Sequence, residues 1–144
     1  MHNRHPLIHC ITNYVSINDC ANIVLACGGA PIMAEDINEV SQITSICQGL
    51  DINIGMLNDN KLSSMLKAGA TANELGIPVI LDPVGAGSSD YRIKAVQNLM
   101  SNVQFGVIRG NVSEIKAIAA KQGIHNIAAG VYETMQKNKS AMGV

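Results

Sequence analysis

The sequence predicts an α/β fold, a mainly parallel sheet with helices on both faces. Two observations carry this. Short apolar runs alternate with longer stretches whose apolar residues recur at helical spacing. Helices between the runs imply right-handed βαβ crossovers rather than hairpins. Composition agrees, because 47% of the 144 residues are hydrophobic and 15% charged, enough for the core of a single domain.

The elements follow in order. Leu7 to Ile11 reads as the first strand, with Thr12-Asn13 as a turn. From Ser16 to Cys27 the residues Ile17, Cys20, Ile23, Val24 and Cys27 share a helical face, and Gly28-Gly29 ends that helix. Ala30 to Met33 is a short extended segment. Asp36-Ile37-Asn38-Glu39 has the pattern of a capping box, opening a helix through Val40, Ile43, Ile46 and Cys47 to Gly49. Leu50 to Gly55 is the third strand. Asp59 starts a helix carrying Leu62, Met65, Leu66, Ala70 and Leu75, closed by Gly76.

Ile77 to Leu81 is the fourth strand and, being continuously apolar, the one expected to be most buried. Ser88 or Ser89 caps a helix through Ile93, Val96 and Met100. Phe105 to Ile108 is the fifth strand, and Asn111 caps a helix to about Gln122. Beyond Gly123 the pattern weakens, with a polar helix over Val131 to Lys139 and no further strand. An α/β sheet ending there would expose an edge strand and an apolar face. The expectation is a single, incomplete domain over 1–144.

Several function classes are excluded. Net charge is −1 with no run of like charges, and aromatics make up 3% with no Trp. Neither the basic footprint nor the stacking platform of a nucleic-acid binder is present. No apolar run reaches the roughly 20 residues that span a bilayer, and the start lacks a signal peptide's apolar core, so cytoplasm is expected. Cys10, Cys20, Cys27 and Cys47 have no Cys-x-x-Cys spacing and lie in apolar contexts. They read as buried reduced thiols. His5 and His9 are four apart, but Pro6 between them makes the segment extended and not a helical metal site.

Two strand ends carry the polar chemistry. Asp82-Pro83-Val84-Gly85-Ala86-Gly87 directly follows the fourth apolar run. An acidic residue at the carboxyl end of a buried strand, followed by a glycine turn, lies where open α/β sheets bind ligands. Asp82 either belongs to a plain Asp-Pro turn or holds a magnesium ion, directly or through water. The small residues Gly85 to Ser89 allow close backbone approach and lead into a helix N-terminus suited to an anion. Arg109-Gly110-Asn111-Val112-Ser113-Glu114 follows the fifth run. Asn111 and Glu114 have the spacing of a capping box, while Arg109 is better placed beside phosphate than in a core. Met33 reads as packing, and Gly55 as a turn or a point of ligand approach. No Walker-A pattern, dinucleotide fingerprint or catalytic triad occurs.

With these residues in hand, the chain resembles the hydroxyethylthiazole kinase family, thiamine-salvage enzymes of the three-layer αβα ribokinase-like fold. The matching stretches are Ile11-Thr12-Asn13-Tyr14-Val15, Gly29-Ala30-Pro31-Ile32-Met33-Ala34, Asn53-Ile54-Gly55, Asp82 to Gly87 and Arg109 to Glu114. They run in the family's order over residues 6 to 120. The resemblance implies ATP-dependent phosphorylation of the primary alcohol of 4-methyl-5-(2-hydroxyethyl)thiazole. It implies that Met33 binds the thiazole through its backbone amide and that Asn13, Val15 and Gly55 line the same pocket. Arg109 would contact the ATP phosphates, and Asp82 and Glu114 would organise Mg2+. It also implies a homotrimer with pockets at subunit boundaries. The family's late Gly-Thr-Gly-Cys-type loop, which supplies the anion hole and the position of the base, has no counterpart in 123–144, so no catalytic residue is assigned. The expectation is an N-terminal portion with little activity of its own. The alternatives are a non-catalytic thiazole-binding or oligomerisation module, or a kinase of the same fold acting on the pyrimidine half of thiamine.

Overall fold

A computed structural model describes residues 5–122. The elements are β1 (Leu7–Ile11), α1 (Ile17–Ala26), β2 (Ala30–Met33), α2 (Val40–Ile46), β3 (Gly49–Asn53), α3 (Asp59–Glu74), β4 (Val79–Asp82), α4 (Asp90–Asn102), β5 (Val107–Ile108) and α5 (Val112–Gln122). The tail 123–144 and the helix expected over 131–139 lie outside the described residues.

The five strands form one sheet in the order β2-β1-β3-β4-β5, every pairing parallel. The chain moves outward from β1 to β2, then returns across β1 and proceeds through β3, β4 and β5. Right-handed crossovers therefore place α1 on one face and α2, α3 and α4 on the other. Side chains agree. His9 on β1 meets Thr44 of α2 at 2.9 Å, whereas Cys20 of α1 reaches Asp51 of β3 at 3.9 Å. The reversal of direction leaves a crevice between the carboxyl ends of β1 and β3, the topological switch point.

The core lies under α2 to α4. Ile11, Leu50, Ile52, Val79 and Leu81 point there from the sheet and meet Val40, Met65, Ala68, Ala72, Val96 and Leu99. Among the described residues the opposite face is less covered, since α1 buries no residue completely. Ile80 is 41% exposed and Val107 53%. This corrects the expectation that β4 is the most buried strand. Its apolar run is continuous, but alternate side chains leave the core, and only one face of β4 is fully packed.

Local chemistry explains the boundaries. Gly28 and Gly76 end α1 and α3 with φ of +85° and +68°, where a Cβ would be strained. Asn58 caps α3 by accepting from Lys61 N at 2.9 Å, and Ser89 rather than Ser88 caps α4. The capping box expected at Asp36 to Glu39 is not formed. Asp36 instead accepts from Asn38 N at 2.8 Å in a local turn, and Glu39, at the N-cap of α2, makes no side-chain cap bond. β4 begins at Val79, later than expected, because Ile77 N is tied back to Ala72 O at the end of α3. Cys10 and Cys47 are buried free thiols and Cys20 is half-buried, but Cys27 is exposed, against expectation. Among the described residues, no helix is long and apolar enough to cross a membrane.

Candidate functional site

The carboxyl ends of the strands carry a continuous polar chain. β1 delivers Thr12 and Asn13 to the crevice, β3 delivers Asn53, β4 Asp82, and the residue after β5 is Arg109. Asn53 is the hub and is 8% exposed. Its Oδ1 accepts from Gly55 N at 2.8 Å and from Asn13 Nδ2 at 3.1 Å. Its Nδ2 donates to Asp82 Oδ2 at 3.1 Å. Asp82 Oδ2 also pairs with Arg109 Nη1 at 3.3 Å, although the arginine side chain is 79% exposed.

Asp82 is held above the usual carboxylate range. Burial is the largest cause and the nearby Glu114 adds to it, while Arg109 and the Asn53 hydrogen bond oppose. Glu114 completes this half of the site. Its Oε2 accepts from Asn111 N at 2.8 Å while Asn111 Oδ1 accepts from Glu114 N at 3.0 Å, a reciprocal capping box. Its Oε1 accepts from Gly85 N at 2.9 Å and ties α5 to the glycine turn after β4. Gly85 has φ +66°, which a side chain would strain. Between this turn and the start of α5 lies an open cleft of about 610 Å³, lined by Gly85, Gly87, Ser88, Asn111, Glu114 and Lys116.

The other half lies over β1, β2 and β3. Gly55 has no room for a side chain, because a Cβ would stand 2.9 Å from both Asn13 Nδ2 and Asn53 Oδ1. Asn13 also accepts from Ser16 N at 3.0 Å, which fixes the turn into α1. Met33 ends β2, half-buried, and Val15 is 90% exposed. Asn13 and Gly55 are thus in contact, as are Asp82 and Arg109, while Glu114 reaches Gly85 in the turn after Asp82. Neither Met33 nor Val15 shares a side-chain hydrogen bond with the others among the described residues.

Two cations were missed from the sequence. Lys61 is 5% exposed, and its Nζ donates to Thr12 O at 2.5 Å, pairs with Glu35 Oε2 at 2.8 Å and lies 4.7 Å from the Tyr14 ring centre. Burial pushes Glu35 up, but Lys61 and the Tyr14 hydroxyl outweigh it and hold the carboxyl below its ordinary value. Arg92 donates to Ile54 O, Gly55 O and Val84 O. A signal existed in both cases. Each residue stands three positions after its helix N-cap, where the helix dipole disfavours a cation. A cation there needs another partner, and both find carbonyls of the strand-end loops.

On the less covered face, Cys10, Cys20 and Asp51 bring their ligand atoms within 4.8 Å of one another. Burial raises both thiols and pushes Asp51 up to about 6. That favours protonated thiols, Cys20 donating to the Asp51 carboxyl and Cys10 to Ile8 O, over the thiolates a metal requires.

The model of the hydroxyethylthiazole kinase family matches residues 1–142. The chain belongs to the hydroxyethylthiazole kinase family. It is 64% identical over 120 residues to the hydroxyethylthiazole kinase of Clostridium acetobutylicum, covering 83% of this chain and 44% of that protein. To the enzyme of that name from Methanobrevibacter smithii it is 50% identical over 131 residues, covering 89% of this chain and 46% of the relative. The hydroxyethylthiazole kinase structure from Pyrococcus horikoshii OT3 superposes with a TM-score of 0.81 at 40% identity, over 87% of this chain and 49% of that one. The receiver domain of a Pseudomonas aeruginosa sensor histidine kinase matches with a TM-score of 0.55 at 13% identity, over 75% of this chain and 86% of that domain, a likeness of fold alone. The chain spans less than half the length of the curated relatives it matches.

Proposed function

We propose that the protein carrying this chain transfers the γ-phosphoryl group of ATP to the hydroxyl of 4-methyl-5-(2-hydroxyethyl)thiazole, and that this chain supplies the thiazole pocket and the metal–phosphate half of the site. The observation that carries this reading is the polar chain Asn13–Asn53–Asp82–Arg109 across the strand ends of a member of this kinase family. It spans from the expected thiazole side to the expected phosphate side of one crevice. The relatives named hydroxyethylthiazole kinase supply the substrate.

The residues fit a magnesium ion. Asp82 and Glu114 offer hard oxygen donors, and a desolvated carboxylate with a second one nearby is what a divalent cation relieves. Bound Mg2+ would neutralise charge on the β- and γ-phosphates. Arg109, exposed on one side and paired with Asp82 on the other, can turn its remaining N–H groups toward phosphate oxygens. The cleft beside Gly85 and Glu114 has room for part of a nucleotide. Asn13, Val15, Gly55 and the Met33 backbone amide form the thiazole side. Asn53 fixes the spacing between the two sides. A homotrimer and a cytoplasmic location belong to this same reading.

The test is incubation of the protein with ATP, Mg2+ and the thiazole alcohol, followed by 31P NMR and mass spectrometry. A phosphomonoester of the thiazole, formed only with both ATP and Mg2+, is expected from the protein that carries this chain, and little or none from the 144 residues alone. Thiazole binding without turnover by that protein would instead mark a non-catalytic binding module. Preferred phosphorylation of the pyrimidine alcohol would mark a kinase for the other half of thiamine.

A further inference from the structure

We infer that Arg92 is a positioning residue, which sets the distance between the loop that carries the acceptor alcohol and the loop that carries the metal and phosphates. The inference rests on the kinase reading above. Arg92 lies in the first turn of α4, with its backbone N–H on the Ser89 cap at 3.2 Å. Its Nη1 donates to Ile54 O at 2.6 Å and to Val84 O at 3.0 Å, and its Nη2 donates to Gly55 O at 2.8 Å. Ile54 and Gly55 belong to the loop after β3, and Val84 to the loop after β4. One planar guanidinium therefore bridges two separate loops.

What lies on each side makes the bridge functional. Gly55 contacts Asn13 and Asn53, so the first loop sits against the thiazole side. Val84 is followed by Gly85, whose N–H is held by Glu114, so the second loop sits against the metal side. Phosphoryl transfer needs the acceptor oxygen roughly 3–3.5 Å from phosphorus in a near-attack arrangement, and an error of about 1 Å costs on the order of a hundredfold in rate. A rigid fork fixes that spacing, and a single ammonium does not, because it cannot bind three carbonyls of two loops in one plane. Carbonyl groups attract a cation more strongly than the start of a helix repels it. That resolves why this sequence places an arginine at a position that helix electrostatics disfavours.

The experiment uses the protein that carries this chain and compares its wild-type form with Arg92→Lys and Arg92→Met. Folding of each is checked by circular dichroism, and steady-state kinetics are run with ATP and the thiazole alcohol. Amide hydrogen exchange at Gly55, Met56, Gly85 and Ala86 is followed alongside. Arg92→Lys is expected to stay folded, to lose about 10- to 100-fold in kcat and to change each KM by less than about threefold. Exchange in both loops should rise together. Unchanged kcat, or a rise in KM alone, would overturn the inference while leaving the kinase reading intact. Should Arg92→Met fail to fold, Arg92→Lys and its loop exchange still decide the matter. A wild-type protein that binds neither substrate would overturn the kinase reading, and this inference with it.

Discussion

Replacing Asn53 by aspartate changes one donor group into an oxygen and almost nothing else. In the native protein, Asn53 Nδ2 donates to Asp82 Oδ2 across 3.1 Å, and Asn53 itself is buried. An aspartate there keeps the acceptor for Gly55 N and Asn13 Nδ2 but sets two carboxylates face to face. At that separation two unit charges repel by about 5 kcal/mol at an effective dielectric near 20. Arg109 beside Asp82 and uptake of a proton by the pair both reduce the cost. A net loss of about 2–4 kcal/mol at pH 8 is expected, lowering Tm by about 10 °C for a domain of this size. The sign with pH follows from linkage. The pair's folded pKa is raised above the unfolded value, so the folded state binds more protons in between, and the penalty grows as pH rises through the folded pKa. Urea unfolding of Asn53→Asp and wild type from pH 5 to 8 checks this. A stability difference under about 0.5 kcal/mol, or one that does not shrink toward pH 5, would refute the reasoning.

Three further outcomes follow from the same geometry. Gly55→Ala forces a Cβ to within 2.9 Å of Asn13 Nδ2 and Asn53 Oδ1, and should cost about 1–3 kcal/mol and weaken thiazole binding, read by chemical unfolding and calorimetry. Gly69→Ala on α3 meets Val103 side-chain carbons at 2.5 and 2.8 Å, and should destabilise by a similar amount of about 1–3 kcal/mol while leaving thiazole affinity per folded molecule unchanged. Asp51, raised from 3.8 to about 6 chiefly by burial and next by Asp82, favours the fold least above that range. Stability it contributes is complete below pH 3.8 and lost as pH rises through about 6. Asp51→Asn should therefore match wild type near pH 4 and exceed it by about 2–3 kcal/mol at pH 8, measured by urea unfolding.

The alternation of apolar runs and helical periods made the order of elements legible, because both periodicities report burial directly. β1 over Leu7–Ile11 matches its apolar run residue for residue. The strand order was not legible, since it depends on which strands pair and no local pattern states that. Nor was the asymmetry of the two faces, for the continuous run Val79-Ile80-Leu81 looks the same whether one face is covered or both. Asp36 misled because an aspartate closes a local turn as readily as it caps a helix. Among the proposed site residues, Asp82 and Arg109 stand out because each charged residue directly follows an apolar run, and Glu114 because it stands three positions after Asn111 at a helix start. Asn53 stands out only as part of the Asn53-Ile54-Gly55 motif, and Lys61 and Arg92 are hidden in ordinary helix starts. Their roles come from long-range contacts with carbonyls of other loops, which sequence spacing does not encode.

The proposed function requires that Asp82 and Glu114 form, with Arg109, a metal–phosphate site opposite the thiazole pocket. Its most direct test is electron paramagnetic resonance of Mn2+, as a stand-in for Mg2+, titrated into the protein with ATP. Wild-type protein is expected to sequester the ion in an ATP-dependent manner, and Asp82→Asn to weaken that binding by about tenfold or more, as loss of one charged ligand should. Equal Mn2+ binding by the two proteins, with ATP bound to both, would contradict the account.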